Sequence, residues 1–309
     1  MKQLVFFPTY NEAKNVASML ERIVRAVPEA DILIVDDNSP DSTSDVTATC
    51  GINNLKTLIR PRKLGIGTAH LLAWHYALHH GYDTLVTTDG DHSHDPGEIP
   101  MLLARLNEGN DLVIGSRYIK GGLCDYPWYR KRLSQTANAT IRRLLQIKLS
   151  EFTTSFRAFR VNKLLALNFT GLAGKGYSFF FLAMAEAYVR GLRIAEVPIH
   201  VYNRKAGASK LTAVELLRSA QDLSRLAVAR FLHKTTINFR NEHRQCLVCG
   251  CEYSRMILRT ATSSKGADDH QRLMEFCLFC DDRKIAGESE ALHAFRGLDS
   301  DPQRNNCIR

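Results

Sequence analysis

The sequence predicts an α/β fold built on a mainly parallel sheet, and two observations carry this. Short apolar runs, several rich in Val and Ile, alternate with helix-length amphipathic stretches from the first residues onward. Alternation of that kind implies right-handed crossovers and parallel neighbours. The composition agrees: 45% hydrophobic and 24% charged residues exclude a disordered tail protein, a collagen-like repeat and a polytopic membrane protein. A chain of 309 residues can bury a sizeable core, as one large domain with an appendage or as two domains.

Taken in order, Leu4–Phe7, Ile32–Val35, Leu55–Ile59, Leu85–Thr87 and Leu112–Ile114 read as strands. Between them, Ala13–Ala26, Asp41–Thr49, Thr68–His80 and Pro100–Asn107 read as helices. After Gly115 the simple alternation stops. Leu133, Ala137, Ile141 and Leu144–Leu145 recur three to four apart, predicting a helix with an apolar stripe and basic flanks. Leu216, Ala220, Leu223, Ala227 and Phe231 form a second stripe, with Arg218, Asp222 and Arg225 opposite. The longest clean apolar run, Phe179 to Ala185, is far short of the ~20 residues a membrane span needs. The N-terminal apolar run is too brief for a secretory signal, so the expected compartment is cytosolic. From about residue 241 the composition shifts to Cys, charges and small polar residues, which predicts a boundary there.

In a parallel sheet, ligands bind outside the carboxyl ends of the strands. The segments that should meet at that edge are Pro8-Thr9-Tyr10-Asn11-Glu12, Asp36-Asp37-Asn38-Ser39 and Asp89-Gly90-Asp91. Two carboxylates two residues apart at a strand end can face one hard cation, Mg²⁺ or Mn²⁺, that bridges a diphosphate. A zinc-hydrolase reading of His92, His94 and Asp95 fails on register, which leaves the histidines as loop residues or partners of the carboxylates. Gly65-Ile66-Gly67 lacks the third glycine of a dinucleotide loop, His70 standing there instead, and reads as backbone punctuation at a helix start. The charge is uneven. The net charge is +9, and residues 117–148 hold eight Lys/Arg against the single acid Asp125. That stretch calls for an anionic partner: phosphates, nucleic acid or an anionic membrane face.

These motifs, in this order, resemble family 2 glycosyltransferases, and the polyprenol-phosphate branch (dolichol-phosphate mannose synthase-like) fits best. The residues that carry the resemblance are Pro8–Glu12, Val35–Asp41, Leu64–Ala69, Asp89–His94 and Gly115–Tyr118. Arg130 with Ser134 and Asn138, Thr153–Arg157, Lys175–Tyr177, Glu196–Ile199, and Arg204 with Gly207, Ser209 and Lys210 extend it to about residue 235. The resemblance implies a GT-A (Rossmann-like) fold over residues 1–210. It also implies a nucleotide-sugar donor (GDP-mannose or UDP-hexose), a divalent metal and a polyprenyl-phosphate acceptor. Pro8, Tyr10, Glu12, Val35 and Asp37 would hold base and ribose. Asp89, Gly90 and Asp91 would surround the metal and diphosphate, with Arg204 and Lys210 closing over the donor. Arg117, Arg130 and Ser134 would meet the acceptor phosphate. The chain departs from its relatives at Glu151-Phe152-Thr153-Thr154, and again at Phe180-Phe181-Leu182, where a Gln-x-Glu is frequent.

The function expected on this basis is inverting transfer of a hexose, mannose first, to a polyprenyl or dolichyl phosphate at the cytoplasmic membrane face. Transfer to a hydroxyl on another acceptor is the alternative within the class. A basic nucleic-acid or protein-binding module with a zinc tail is the alternative outside it. Nucleic acid is disfavoured because the basic cluster lies in the catalytic half. The helix at 211–240 would lie on the membrane or dock to a membrane-anchored partner. Residues 241–309 form the predicted zinc-binding module: Cys246 and Cys249 with Cys277 and Cys280 make two C-x-x-C knuckles able to hold one structural Zn²⁺.

Overall fold

A computed structural model describes residues 1–167, 172, 176–203, 213–231, 244–245 and 252–253. Its centre is a seven-stranded sheet. The strands are β1 (Gln3–Thr9), β2 (Asp31–Asp36), β3 (Leu55–Ile59), β4 (Thr84–Thr87), β5 (Leu112–Ser116), β7 (Arg157–Arg160) and β8 (Ile194–Pro198), in the order β3-β2-β1-β4-β7-β5-β8. Strands β3, β2, β1 and β4 are mutually parallel, and β8 runs parallel to β5. β7 is antiparallel to both of its neighbours, β4 and β5. The GT-A-like, mainly parallel architecture expected from the sequence is therefore present.

Helices α1 (Ala13–Ala26), α2 (Thr43–Thr49), α3 (Ile66–His79) and α4 (Ile99–Asn107) occupy the crossovers. α1 turns Val16, Met19, Leu20 and Ile23 onto one sheet face, which they share with Leu102 and Leu106 of α4. On the opposite face α3 packs with α7 (Ser178–Val189), whose Phe179–Ala185 run is wholly buried. That run is a core helix, and its apolar character comes from being enclosed. His70 shares this core, its ring 5.1 Å from those of Phe6 and Phe180, and burial drives its pKa down to about 3. Among the described residues no helix is long and apolar enough to cross a membrane.

α5 (Trp128–Leu145) is anchored through Asn138, Ile141 and Leu145. A short ladder of β6 (Leu123–Cys124) with β9 (His200–Val201) precedes it, and α6 (Val161–Leu164) follows β7 directly. α8 (Ala213–Phe231) meets α5 and α7, and Ser178 Oγ donates to the buried Asp222 carboxylate at 2.7 Å. The remaining pair, β10 (Arg244–Gln245) and β11 (Glu252–Tyr253), is antiparallel. No Cys-rich metal module belongs to the described architecture, and Cys246, Cys249, Cys277 and Cys280 lie outside the described residues.

Candidate active site

The loops after β1 and β2 are tied together at the carboxyl edge. Thr9 Oγ1 donates to Asp36 at 2.7 Å, and the Ser39 N–H and hydroxyl donate to the same carboxylate at 2.7 and 2.6 Å. The Ser39 hydroxyl in turn accepts from the Asn11 N–H, while Thr43 Oγ1 accepts from Glu12 N–H and Asp41 from Ala13 N–H. Pro8 lies within β1, one residue before its end, and Tyr10 sits beside Lys63, whose ammonium lies 4.4 Å from the ring centroid. Glu12 is nearly buried and accepts from Asn15 Nδ2 at 2.7 Å. Val35 is completely buried in the core beneath the edge, so only its backbone is left to meet a ligand.

Asp37 is more occupied than its expected role suggests. One carboxylate oxygen accepts Arg60 Nε at 2.6 Å, and the other accepts the N–H groups of Leu64 and Gly65 at 3.2 Å each. Arg60, 1% exposed, also donates to Thr68 Oγ1 and the Gly65 carbonyl. Burial pushes the Asp37 pKa up and the Arg60 pKa down against their mutual attraction, the balance expected when two charges leave water together. The pair fixes the entry into α3. Gly65 has φ +93°, which only glycine adopts freely. Sequence reasoning missed Arg60; the signal was a charged residue in register with the end of β3.

The acidic pair follows β4. Asp89 Oδ1 accepts from Ser155 Oγ at 2.7 Å, and Asp91 Oδ1 accepts the Ser93 N–H at 3.1 Å, an Asx-type turn. Between them, a Cβ on Gly90 would stand 3.1 Å from the Phe7 ring and 3.4 Å from the Pro8 carbonyl, so this segment adjoins the β1 loop closely. The three polar segments thus do converge. His92 (φ +60°) reaches Ser18 Oγ at 2.8 Å, and Arg22 ties Asp95 to the same helix at 2.6 Å, clamping the loop to α1. His94 stacks on Phe156 and turns Nδ1 to within 3.8 Å of Asp89 Oδ2. That nitrogen is buried without a hydrogen-bond partner among the described residues, and burial lowers the pKa of His94 despite the Asp89 and Asp91 charges.

Among the described residues no cluster of three or more His, Cys, Asp or Glu side chains forms a metal site. Mg²⁺ and Mn²⁺ are commonly held by one or two carboxylates plus substrate phosphates. The donor set fits: two hard carboxylates whose geometry is set by Ser155 and the Ser93 turn.

Across from the carboxylates lies a basic wall. Arg117 Nε donates to Glu151 at 2.6 Å, and its Nη2 donates to Glu151 at 3.2 Å and to Thr153 Oγ1 at 3.0 Å. Glu151 is completely buried. Burial alone would raise its pKa, but the Arg117 charge and the hydrogen bonds from Arg117 and Thr153 bring it below the ordinary carboxylate value. Arg117 is likewise disfavoured by burial and held protonated above its usual range by Glu151. Glu196 accepts the N–H groups of Ser150 and Glu151, and Asn138 Oδ1 accepts that of Phe152, so two motif residues hold the Glu151 loop. Arg157 is buried beside it, donating only Nη2, to the carbonyls of Phe152 and Phe180. Its Nε and Nη1 have no hydrogen-bond partner among the described residues, and burial draws its pKa to about 9.

Arg130 stacks on Tyr126 with Cζ 3.9 Å from the ring centroid, and Arg117 approaches the same ring at 5.7 Å. Ser134 is one turn further along α5, where its carbonyl accepts Asn138 Nδ2. Tyr126 is the residue sequence reasoning missed here. An aromatic inside an acid-poor basic stretch was the signal. Burial raises its pKa, with Arg117 and Arg130 opposing and Asp89 reinforcing the shift. Arg204 and Lys210 lie outside the described residues.

A divalent cation held by carboxylates where parallel strands end could neutralise a departing diphosphate, which is the chemistry a glycosyltransferase needs. The chain belongs to glycosyl transferase family 2, whose description matches residues 4–166. It is 38% identical over 215 residues to polyprenol monophosphomannose synthase of Mycolicibacterium smegmatis, covering 68% of this chain and 81% of that protein. It is 38% identical over the same length to undecaprenyl-phosphate mannosyltransferase of Micrococcus luteus, covering 69% and 88%. Among solved structures it is similar to glucosyl-3-phosphoglycerate synthase from Mycobacterium tuberculosis in complex with phosphoglyceric acid. The TM-score is 0.55 at 21% identity, over 74% of this chain and 79% of that one. The same enzyme with Mn²⁺ and UDP-glucose gives 0.54 at 21%, over 74% and 78%.

The expectation of hexose transfer to a polyprenyl phosphate is corrected accordingly. Solved structures that share this fold include an enzyme named for a phosphoglycerate product and crystallised with phosphoglyceric acid. One expected site residue is also placed differently from its expected role. Arg117, expected to meet an acceptor phosphate, is already committed to a bidentate pair with Glu151, and its side chain is only 8% exposed.

Proposed function

We propose that the protein transfers a hexose from a nucleoside-diphosphate sugar to a hydroxyl group of its acceptor, with inversion at C1. The observation that carries this reading is the carboxylate pair Asp89 and Asp91, oriented by Ser155 and the Ser93 turn at the convergence of three loops. In this reading Tyr10 and Glu12 serve the nucleotide, Asp37 acts through the loop it holds with Arg60, and Arg130, Tyr126 and Ser134 serve the acceptor. A divalent cation on Asp89 and Asp91 would offset the charge of the leaving diphosphate. The acceptor oxygen attacks C1 as the bond from C1 to the diphosphate oxygen breaks, and the diphosphate leaves with the electron pair. The hydroxyl proton must leave too. Inversion places the attacking oxygen on the face of C1 opposite the diphosphate and its cation, so the proton leaves on the acceptor side, to solvent.

The test is a donor and acceptor panel. With Mn²⁺, one nucleotide-sugar should raise the unfolding temperature, since a ligand at 100 times its Kd adds about 2.7 kcal/mol to stability. Product should then form with a hydroxyl acceptor such as phosphoglyceric acid or a polyol. Stabilisation by no donor would overturn the reading, and so would product formed with polyprenyl phosphate alone.

We infer separately that Cys246, Cys249, Cys277 and Cys280 hold one structural Zn²⁺. Two matched C-x-x-C pairs support this, as does the antiparallel pairing of Arg244–Gln245 with Glu252–Tyr253, which bracket the first pair in sequence. Elemental analysis of the purified chain should find about one zinc, lost in Cys249→Ser without loss of donor-induced stabilisation. Zinc-free protein purified without chelators would refute the site.

A further inference from the structure

The outward face of α5 combines exposed apolar and basic side chains. Trp128 is 78% exposed, Tyr129 62% and Leu133 60%. Tyr129 and Leu133 are four residues apart, so they lie one above the other on a helix. Arg132, Arg142 and Arg143 are exposed along the same helix, which contains no acidic residue in its 18 positions. The inward face is spoken for: Asn138, Ile141 and Leu145 anchor it, and Arg130 stacks on Tyr126. Three large apolar or amphipathic side chains are thus held in water beside fixed positive charge.

That pairing suits one kind of partner. Trp and Tyr prefer the headgroup level of a bilayer, where the ring is buried and the polar tip stays wet. A helix with such residues beside Arg and Lys lies in the interface plane, and each basic residue close to an anionic leaflet contributes about 1 kcal/mol. A protein partner would need acidic complementarity to the exposed Arg132, Arg142 and Arg143 of a helix that carries no acid of its own. An anionic leaflet supplies it without specific contacts. We propose that the outward face of α5, centred on Trp128, Tyr129, Leu133 and Arg132, docks the enzyme onto an anionic membrane surface. The acceptor side of the site, at Arg130 and Tyr126, then sits next to the headgroups. This proposal concerns the surface and does not depend on which hydroxyl is glycosylated.

The chain carries a built-in reporter. It has two tryptophans, Trp74 buried in the core and Trp128 on this face. Full-length protein is mixed with phosphatidylcholine vesicles containing or lacking phosphatidylglycerol, and emission and co-sedimentation are followed. Anionic vesicles should shift Trp128 emission to shorter wavelength and pull the protein down, with both effects fading at high salt. Trp128→Phe should abolish the shift and keep most of the sedimentation. Trp128→Ser with Leu133→Ser should weaken sedimentation roughly tenfold or more, since losing ~1.4 kcal/mol of insertion is tenfold in affinity. Their thermal unfolding should be unchanged, the residues being exposed. Four results would overturn the proposal: no binding at low salt, equal binding to neutral vesicles, full binding by the double variant, or a concentration-dependent shift without vesicles. The last would mean that the face is covered by a second copy of the chain.

Discussion

Asp91→Asn should lower turnover by about two to three orders of magnitude, the loss typical when one charge-stabilising group is removed from a transition state. Its fold should survive. The amide oxygen of Asn can still accept the Ser93 N–H that shapes the turn, and the rest of the loop is clamped to α1 through His92 and Arg22. What is lost is an anionic oxygen for the cation and, with it, the neutralisation of the leaving diphosphate. A Mn²⁺ titration separates this from a folding defect. The half-saturating Mn²⁺ concentration should rise while the unfolding temperature without ligand holds steady. Near wild-type turnover in saturating Mn²⁺ would count decisively against Asp91 as a metal ligand. Asp89→Asn should be at least as damaging, because Asp89 also takes the Ser155 hydroxyl and faces His94.

Much of this site could be read from the sequence because the first half of the chain obeys simple periodicities. Strands β1, β2, β4 and β5 are continuous apolar runs buried on both faces, and α1 repeats its buried residues every three to four positions. Parallel connectivity then sends the loops at 8–12, 36–41 and 89–91 to one edge. The second half resists because its strands do not look like strands. β7 is Arg157-Ala158-Phe159-Arg160, a central strand that buries a guanidinium, and no hydrophobic pattern marks it. Its antiparallel direction, set between β4 and β5, carries Ser155 to Asp89 and Glu151 to Arg117. Spacing alone could not show that Asp37 would be absorbed by Arg60, or Arg117 by Glu151. Both pairings bring residues from separate segments into one buried ion pair. The basic stretch 117–148 reads as one feature in sequence, yet α5 divides it between an inward Arg130 and the outward Arg132 and Arg143.

Glu151→Gln should destabilise the protein by about 3–5 kcal/mol, the cost of leaving a buried charge without its counter-ion. Glu151 is fully buried and accepts from Arg117 twice and from the Thr153 N–H and hydroxyl, at 3.0 and 2.7 Å. It is also the carboxylate whose charge favours the protonated form of Arg157. Neutralising it therefore strands the Arg117 guanidinium. Against a typical domain stability of about 5–15 kcal/mol, such a loss is a large fraction of the whole. Urea unfolding measures it directly. Two further variants decide whether charge is the cause. Arg117→Met alone should also destabilise, leaving Glu151 unpaired. The double variant Glu151→Gln with Arg117→Met should recover part of the loss, because removing both charges of a buried pair costs less than removing one. Additive losses would show that the two side chains act as independent packing elements. A Glu151→Gln protein as stable as wild type would show that the Glu151 charge carries no electrostatic weight in the fold.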